Sequence, residues 1–381
     1  MYCVWEANKI LMRIGIDARL VYYTQAGIGQ YITHLVQSLA EVDHETDFIL
    51  LQSRKDRSKL ADQPNFRRLA VWTPCHHRLE QWALRAEISP LDIDVLHSPD
   101  FIPPSRANFK SVITVHDLAF LLYPHFLTKE SARYYGQIDQ AVRRTDHIIA
   151  VSEATKHDLI QRLGVPEGKV TVIYEASAPE FRPIPPDEAR QYAQKKFELE
   201  GGYIFFVSTI EPRKNVPGLL EAYRRLLDSY KVTARLVLAG GQGWLSEEVF
   251  AGVDRLGLRG QVRFLGRVAT ADLPYLYNAA SLLIHPSFYE GFGLPPLEAM
   301  ACGIPVVVSN VSALPEVVGD AGLLVDPNNI SEMAVSMYRV LTDQQLREEM
   351  IHKGLARAAC FSWEKTASQT LEVYYRVGQG K

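Results

Sequence analysis

The sequence predicts an α/β protein made of two doubly wound domains that face each other across a cleft. Three observations support this fold class. Short apolar runs alternate with helical patterns along almost the whole chain, a proline-rich stretch divides it near the middle, and 381 residues are too many for one ordinary core. The runs are nearly continuous in Val, Ile and Leu, which is typical of parallel strands covered by helices on both faces.

The apolar runs that predict the first sheet are, in order, "RIGID", "DFILLQ", "DVLHS", "SVITVHD" and "HIIAVS". A helix is predicted between the first two strands, because apolar residues there recur at helical spacing. These residues are Ile32, Leu35, Val36 and Leu39. Alternating strands and helices indicate a parallel, doubly wound arrangement.

The domain boundary is predicted in "SAPEFRPIPPDEARQ", whose prolines lie between residues 179 and 186. Neither a strand nor a helix interior tolerates so many prolines. We therefore predict a first domain over residues 12–195 and a second over 200–361. Residues 1–11 lack the basic region and long apolar stretch of a signal peptide, so a disordered tail or an upstream-start artefact is expected there.

The second sheet is predicted from "YIFFVS", "ARLVLAGG", "VRFLG", "SLLIHPS", "PVVVSN" and "GLLVD". Its first helix has apolar residues at helical spacing. These residues are Leu219, Leu220, Tyr223, Leu226 and Leu227. Residues 362–381 are predicted to form a separate amphipathic helix, capped by Ser362. Ligands of such folds bind beyond the carboxyl ends of the strands, so the cleft is the predicted site.

Composition excludes several classes of function. The net charge of −3, without a basic half, argues against nucleic-acid binding. The four cysteines, Cys3, Cys75, Cys302 and Cys360, lie far apart without ligand spacing, which argues against disulfides and structural zinc and fits a reducing cytosol. No apolar run approaches the roughly 18 residues that span a bilayer.

A glycine-rich turn, "AGIGQY", follows the first predicted strand. Gly27 and Gly29 would let backbone amides approach an anion at a helix N-terminus. The third glycine of a dinucleotide fingerprint is replaced by Ile32, so the alternative of an ordinary tight turn stays open.

A basic turn, "STIEPRKN", follows the first strand of the second domain. Arg213 and Lys214 lie there at the carboxyl end of a strand, and Asn215 with Pro217 indicates the start of a helix. Two cations beside a helix N-terminus suit a diphosphate. A solvated basic turn is the alternative.

Two carboxylates stand in "YEGFGLPPLE", between a predicted strand and helix. Glu290 is expected in the loop facing the cleft, with Gly291 and Gly293 permitting close approach of a ligand. Glu298 is expected in the first turns of the helix, where a carboxylate is favoured. Such acceptors suit sugar and ribose hydroxyls, although Glu298 could simply stabilise the helix dipole.

These motifs together resemble the family-4 (group 1) retaining glycosyltransferases of the GT-B fold. Glu290 and Glu298 match the E-x7-E motif, and "MRIGIDAR", "AGIGQY", "IIAVSEATKHDL" and "GIPVVVSNVSALPEV" match other family segments. The "EPRKN" variant is most similar to bacterial mannosyltransferases of polysaccharide assembly. Ser208 and Thr209 replace the family's glycine and arginine, and we infer that Arg213 supplies the missing guanidinium.

The resemblance implies a role for each residue that matches a motif. Glu290 would bind the donor sugar, and Glu298 would bind the ribose. Arg213 and Lys214 would neutralise the leaving diphosphate. Backbone amides are implied to contact the donor at Gly29 beside Gly27, and at Gly291, Phe292, Gly293 and Leu294, while Val268 would meet the base. His116, in "VITVHD", resembles the family histidine near the sugar.

The resemblance also implies retention of the anomeric configuration, with the diphosphate taking the acceptor proton. It implies that the Rossmann-like first domain, residues 12–195, binds the acceptor, that the Rossmann-like second domain, residues 200–361, binds the nucleotide sugar, and that the C-terminal helix returns to the first domain. No essential metal and no cofactor are expected, because Asp92 and Asp94 form the only D-x-D and precede a strand, away from the cleft. GDP-mannose is the predicted donor, with UDP-glucose or UDP-N-acetylglucosamine as alternatives. A nucleotide-sugar epimerase and a non-catalytic binding protein are further alternatives.

A saccharide or a lipid-linked saccharide is the predicted acceptor, and a cytoplasmic location is expected. Residues 54–85 are rich in Lys and Arg and include Phe66, Trp72 and Trp82. This segment is therefore a candidate for peripheral contact with anionic lipid at the inner face of the membrane. A solvated, loop-rich face is the alternative.

Overall fold

The computed structural model describes residues 12–23, 27–77, 79–105, 108–124, 132, 134–241, 243 and 247–380. The predicted extension, residues 1–11, lies outside them. Within the described residues the chain forms two parallel sheets, each flanked by helices.

Across the described part of the first domain, seven parallel strands pair in the order β3-β2-β1-β4-β5-β6-β7. The strands are β1 (Arg13–Asp17), β2 (Asp47–Ser53), β3 (Phe66–Val71), β4 (Val95–Ser98), β5 (Lys110–Val115), β6 (His147–Ala150) and β7 (Val170–Val172). Strands β4 and β6 are buried throughout, as expected for strands covered on both faces.

The helices of the first domain pack against this sheet. They are α1 (Leu20–Tyr23), α2 (Ile28–Val42), α3 (Glu80–Ile88), α4 (Ala119–Leu122), α5 (Ile138–Arg144) and α6 (Glu153–Leu163). The predicted stripe of α2 is confirmed, because Ile32, Leu35, Val36 and Leu39 are fully buried.

Six described strands form the second sheet, in the order β10-β9-β8-β11-β12-β13. They are β8 (Tyr203–Val207), β9 (Leu236–Ala239), β10 (Val262–Gly266), β11 (Ala280–His285), β12 (Val306–Ser309) and β13 (Leu323–Val325). All the pairs are parallel. The predicted α/β class with two doubly wound domains is confirmed.

The remaining helices are α7 (Pro186–Phe197), α8 (Val216–Tyr230), α9 (Glu247–Arg255), α10 (Leu273–Ala279), α11 (Leu294–Ala301), α12 (Leu314–Val318), α13 (Ile330–Thr342), α14 (Gln344–Ala358) and α15 (Trp363–Gly378). Helix α8 begins after Asn215 and carries Pro217 in its first turn, as predicted. None of the helices in the described ranges is long and apolar enough to cross a membrane.

Helix α7 spans the predicted boundary at residue 195. Ala189 and Ala193 of α7 are buried, and the helix packs along α10 of the second domain. Pro186 occupies the first turn of α7, where it disturbs no helical hydrogen bond.

Helix α15 returns to the first domain and packs along α2. The hydroxyl of Ser362 accepts a hydrogen bond from the Lys365 amide, which is the predicted cap. Tyr374 is fully buried, and its hydroxyl lies 2.6 Å from Nδ1 of His97 on β4. The last helix thus ties the end of the chain to the core of the first domain.

Two strands have no counterpart among the predicted runs, namely β3 and β7. Both lie at the edges of the first sheet. Strand β3 includes the exposed Arg67 and Arg68, and β7 has three residues. Edge strands are often short or charged, so they lack the continuous apolar signal of central strands.

Candidate functional site

The basic turn and the E-x7-E loop meet at the centre of the second sheet. Strand β8 leads into Arg213 and Lys214, and the neighbouring strand β11 leads into Glu290. The chain order of the sheet reverses between these two strands, and ligands of doubly wound folds bind in the crevice at this point. The topology therefore brings together residues more than 70 positions apart.

Glu290 is the centre of a buried cluster of charges. Its Oε1 accepts hydrogen bonds from Nζ of Lys214 at 2.6 Å and lies 2.7 Å from Nε2 of His285. Its Oε2 accepts a longer bond from Nη1 of Arg213, at 3.3 Å. Nε of Arg213 also pairs with Glu211 at 2.5 Å. The Glu290, Lys214 and His285 side chains are each less than 10% exposed.

Burial and ion pairing oppose each other in this cluster. Burial lowers the pKa of Lys214, although the charge of Glu290 counteracts part of that shift. Burial alone would raise the pKa of Glu290, but the attraction of Lys214 and the hydrogen bond from His285 hold it well below its usual range. Burial also opposes the charge of Arg213, yet Glu290, Asp117 and Glu211 raise its pKa. Fixed cations with few water neighbours interact strongly with an added anion.

The loop after Glu290 touches the first domain. A Cβ at Gly291 would lie 1.8 Å from the carbonyl oxygen of His116, so only glycine permits this approach. The Tyr289 hydroxyl donates to Asp158 Oδ2 on α6 at 2.8 Å, and Thr155 Oγ1 donates to the Gly291 carbonyl at 3.3 Å. The two domains therefore meet beside the charged cluster.

Glu298 lies in α11, as predicted. Its Oε2 accepts a hydrogen bond from the Tyr277 hydroxyl at 2.8 Å. Burial raises the pKa of Glu298 to about 7, although the hydrogen bond from Tyr277 opposes that shift. A carboxyl that titrates near neutrality differs from a simple dipole-stabilising residue at the helix surface.

The residues at the start of α11 offer backbone N–H groups, whereas their apolar side chains are largely packed into the core. Gly293 precedes the helix with a φ of 119°, a conformation that favours glycine. The first N–H groups of a helix, from Leu294 on, have no partner within it. The Phe292 side chain is buried against Tyr174 and Phe361, and Val268 packs against the same core.

The glycine turn lies where it was predicted, between β1 and α2. Gly27 precedes the helix with a φ of 55° and is exposed, whereas Gly29 is buried in the first turn. A Cβ at Gly27 would meet nothing within 4 Å, so the positive φ, and not a lack of space, favours glycine there. Ala26, which also belongs to the motif, lies outside the described residues.

Each ring nitrogen of His116 contacts an oxygen atom. When Glu175 is ionised, both of these oxygens can only accept a hydrogen bond. Nδ1 of His116 lies 2.9 Å from Glu175 Oε1, and its Nε2 lies 2.9 Å from the Pro99 carbonyl oxygen. Burial lowers the pKa of His116, but the hydrogen bond and charge of Glu175 outweigh it and raise the pKa. With both nitrogens engaged, the ring has no free atom to act as a general base.

Sequence reasoning missed four partners of the predicted residues: His285, Glu211, Tyr277 and Glu175. His285 and Glu211 had a usable signal, because His285 is the last residue of β11 and Glu211 lies in the loop that follows β8, so both are polar residues at the carboxyl end of a strand. Tyr277 lies within the apolar pattern of α10 and has no such signal. Glu175 follows β7, a strand that was not predicted.

The D-x-D pair lies at the amino end of β4, away from the cleft. Asp92 and Asp94 are exposed, and Asp94 Oδ2 accepts the Arg13 amide hydrogen bond at 2.7 Å. Over the described ranges, no group of three or more His, Cys, Asp or Glu residues could hold a metal ion. The pair is therefore a surface feature of the first sheet.

Comparison with known proteins supports the same reading. The family description "Glycosyl transferases group 1" matches residues 187–357, and "Glycosyltransferase Family 4" matches residues 26–177. O-antigen chain mannosyltransferase B from Escherichia coli is 34% identical over 383 residues, covering 95% of this chain and 99% of the relative. A D-inositol 3-phosphate glycosyltransferase from Salinispora arenicola is 35% identical over 325 residues, covering 76% of this chain and 71% of the relative.

Among solved structures, sucrose-phosphate synthase from Thermosynechococcus elongatus has the same fold. The TM-score is 0.78 at 20% identity, and the match covers 97% of this chain and 100% of the synthase. The two sheets, the returning helix, the charged cluster between β8 and β11 and the full-length relative lead to one assignment. The chain belongs to the group 1, family-4 glycosyltransferases of the GT-B fold.

Proposed function

We propose that this protein transfers a mannosyl group from GDP-mannose to a saccharide or lipid-linked saccharide, with retention of the anomeric configuration and without an essential metal. The observation that carries the proposal is the buried Arg213–Lys214–Glu290 cluster between β8 and β11. The mannosyl group is supported by the full-length similarity to an O-antigen chain mannosyltransferase. The charged cluster and this similarity both fit glycosyl transfer in polysaccharide biosynthesis.

In the proposed reaction, the bond between the anomeric carbon and the diphosphate oxygen breaks, and its electron pair stays on that oxygen. Arg213 and Lys214 stabilise the developing charge, which is the largest catalytic contribution expected of preorganised groups. The acceptor hydroxyl attacks from the face that the diphosphate leaves, and its proton passes to a diphosphate oxygen. The two bonds on His116 fit a mechanism without a protein base.

Glu290 has two functions in this proposal. Its negative charge favours the charged forms of Lys214 and Arg213, and its oxygen atoms orient both side chains in the free enzyme. The bond from Arg213 to Oε2 is long, so a hydroxyl of the donor sugar can compete for that oxygen. The diphosphate then supplies the negative charge that the two cations share.

Incubation with GDP-mannose, UDP-glucose and UDP-N-acetylglucosamine, each with saccharide acceptors, tests the reaction. We expect GDP release and a new glycosidic linkage with GDP-mannose, in the presence of excess EDTA. NMR of the linkage should show the donor's configuration. Transfer from a UDP-sugar alone would replace the donor assignment, an epimerised nucleotide sugar would indicate an epimerase, and binding without turnover would indicate a non-catalytic protein.

Glu298 is expected to make nucleotide affinity depend on pH. Its pKa is raised to about 7, so in the free protein the carboxyl group of Glu298 stays protonated at pH values well above roughly 4.3, the ordinary pKa of a glutamate. If the ionised carboxylate accepts the ribose hydroxyls, GDP affinity relative to Glu298→Gln should rise about tenfold from pH 6 to pH 8 and then level off. Calorimetry measures both proteins, and parallel pH profiles would contradict the ribose role.

We also propose a cytoplasmic enzyme that touches the inner membrane face through residues 54–85, of which Arg78 lies outside the described residues. Trp72 and Trp82 are 71% and 65% exposed, and the Arg54 guanidinium lies 4.0 Å from the centre of the Trp72 ring. Exposed aromatic rings beside cations suit the interface of an anionic bilayer.

Replacing both Trp72 and Trp82 by serine should weaken binding to vesicles that contain phosphatidylglycerol by about tenfold, because interfacial binding scales with buried apolar area. Vesicle sedimentation measures this. Val335→Ser, an exposed apolar residue on α13 of the second domain, is the control and should bind like the wild type. Equal binding by all three proteins would favour the alternative of a solvated face.

A further inference from the structure

The first sheet has its own reversal of chain order, between β1 and β4, and a small pocket opens there. Asp17 ends β1 and Ser98 ends β4, and both line the pocket. Doubly wound sheets place ligands in the crevice beyond the carboxyl ends of such a pair. All the described lining residues of the pocket belong to the first domain.

The pocket is close to the point where the domains meet. Pro99 follows Ser98, and its carbonyl oxygen is 2.9 Å from Nε2 of His116. The carbonyl oxygen of His116 in turn touches Gly291, the neighbour of Glu290. A molecule held in the pocket therefore lies near the predicted position of the donor sugar.

Ser98 is a buried residue whose hydroxyl has no hydrogen-bond partner among the described residues. The residue is 2% exposed, and its Oγ is enclosed without a bond to any group that the structure describes. Buried polar groups are nearly always paired, because an unpaired one loses its hydration without compensation. The enclosed part of the pocket measures about 10 Å³, which is room for one water-sized group such as a hydroxyl.

The charges around the pocket are predominantly negative. Arg19 is the single guanidinium or ammonium group on the described part of the pocket wall. It donates to Asp17 at 2.6 Å, to Glu80 at 2.7 Å and to the Thr73 carbonyl at 2.9 Å. Asp17 and Glu80 pair with this guanidinium, and Asp100 is a third carboxyl group that lines the same pocket.

Asp100 stays ionised in this setting. It accepts hydrogen bonds from the Phe101 amide at 2.7 Å and from the Tyr134 hydroxyl, and Nε2 of His76 lies 3.4 Å away. Burial would raise the pKa of Asp100, but these contacts lower it. The mouth of the pocket therefore offers hydrogen-bond acceptors and a negative field, with no described cation free for an anion.

We propose that this pocket anchors the acceptor saccharide by one neutral hydroxyl group, which donates to or accepts from Ser98, and that its carboxylates exclude phosphorylated acceptors. The inference rests on the proposed glycosyl transfer and adds the class of acceptor. A sugar hydroxyl fits the volume and satisfies Ser98. A phosphate is larger, and it would lie beside Asp100 with no free cation among the described lining residues to neutralise it.

The first test is acceptor binding without donor. Saturation-transfer NMR with methyl α-mannoside should show binding to the wild-type protein, and mannose 6-phosphate should compete weakly. Ser98→Ala should raise the dissociation constant of methyl α-mannoside about tenfold, as expected for one lost hydrogen bond in a buried site. Ser105→Ala removes another buried hydroxyl of the same domain, bonded to the Gln81 carbonyl, and is the matched control.

The second test is the charge of Asp100. Asp100→Asn should make mannose 6-phosphate a better competitor, by about fivefold or more, because a repulsive charge near the phosphate is lost. GDP affinity should be unchanged in both variants, which separates this inference from the donor proposal. Equal effects of Ser98→Ala and Ser105→Ala, or equal competition by mannose 6-phosphate in wild type and Asp100→Asn, would overturn it.

Melting temperatures measured on every variant distinguish a structural role from an acceptor role. A hydroxyl that only holds an internal water would change the melting temperature of Ser98→Ala and leave methyl α-mannoside affinity as in the control, which would also overturn the inference. If GDP-mannose fails to react while methyl α-mannoside binds as expected, the donor assignment fails and the acceptor pocket stands.

Discussion

Lys214→Ala is expected to lower kcat by about 100- to 1,000-fold with GDP-mannose. The ammonium group is buried and fixed by Glu290 at 2.6 Å, so it meets the leaving diphosphate without reorganisation. Removal of the ammonium group destabilises chiefly the transition state, because the charge on the diphosphate is largest there. Initial rates at saturating donor measure the loss.

Lys353→Ala provides the matched control for that variant. Lys353 lies on α14 and pairs with Asp320 and Glu349 at the surface. Ion pairs at the surface contribute little to stability. The rate of the Lys353→Ala enzyme should stay within about twofold of the wild type. A Lys214→Ala enzyme with nearly normal kcat and a raised donor KM would mean that the lysine binds the ground state alone.

Glu290→Ala is expected to destabilise the second domain by ~3 kcal/mol in the absence of ligand. The substitution leaves Lys214 buried without its carboxylate, beside the positive charge of Arg213. An uncompensated buried charge is costly, and this magnitude lowers the melting temperature of a domain of this size by about 6 to 12 °C. Differential scanning calorimetry measures the shift.

GDP should restore more stability to Glu290→Ala than to the wild type, because the diphosphate supplies the missing counter-charge. Its affinity for the variant should equal or exceed that for the wild type, while kcat falls. Asp254→Ala breaks an exposed pair with Arg259 and is the control, and its melting temperature should stay close to that of the wild type. A smaller thermal shift by GDP in Glu290→Ala than in the wild type would contradict the arrangement of charges.

Much of this architecture follows from local sequence patterns. The buried parallel strands are continuous apolar runs, and α2, α8 and α15 have apolar residues at helical spacing. Pro217 and Ser362 indicate helix starts through the fixed φ of proline and the capping hydroxyl of serine. These signals act over a few residues, so the sequence alone determined them.

The predicted positions of the site residues also depended on local order. A polar residue just after a buried strand lies at its carboxyl end, which placed Arg213, Lys214, Glu290 and His116 at the cleft. The family resemblance supplied expected roles for them. Neither source gave the distances among these side chains.

Only the tertiary structure decided which groups meet. The pairing of β8 with β11 joins Glu290 to Lys214, and the loop after β11 brings Glu290 back to His285 at the end of the same strand. The contact between domains joins Gly291 to His116. The same holds for α7, which packs on the second domain although it follows the first in sequence.

The protonation states were decided in the same way. Burial raises the pKa of Glu298 to about 7, whereas Lys214 and His285 hold that of Glu290 far lower. The two glutamates are eight positions apart in one motif and look alike in the sequence. Their pKa values differ because residues that are close in space place different charges beside them and bury them differently. The periodicity of the sequence does not predict these contacts.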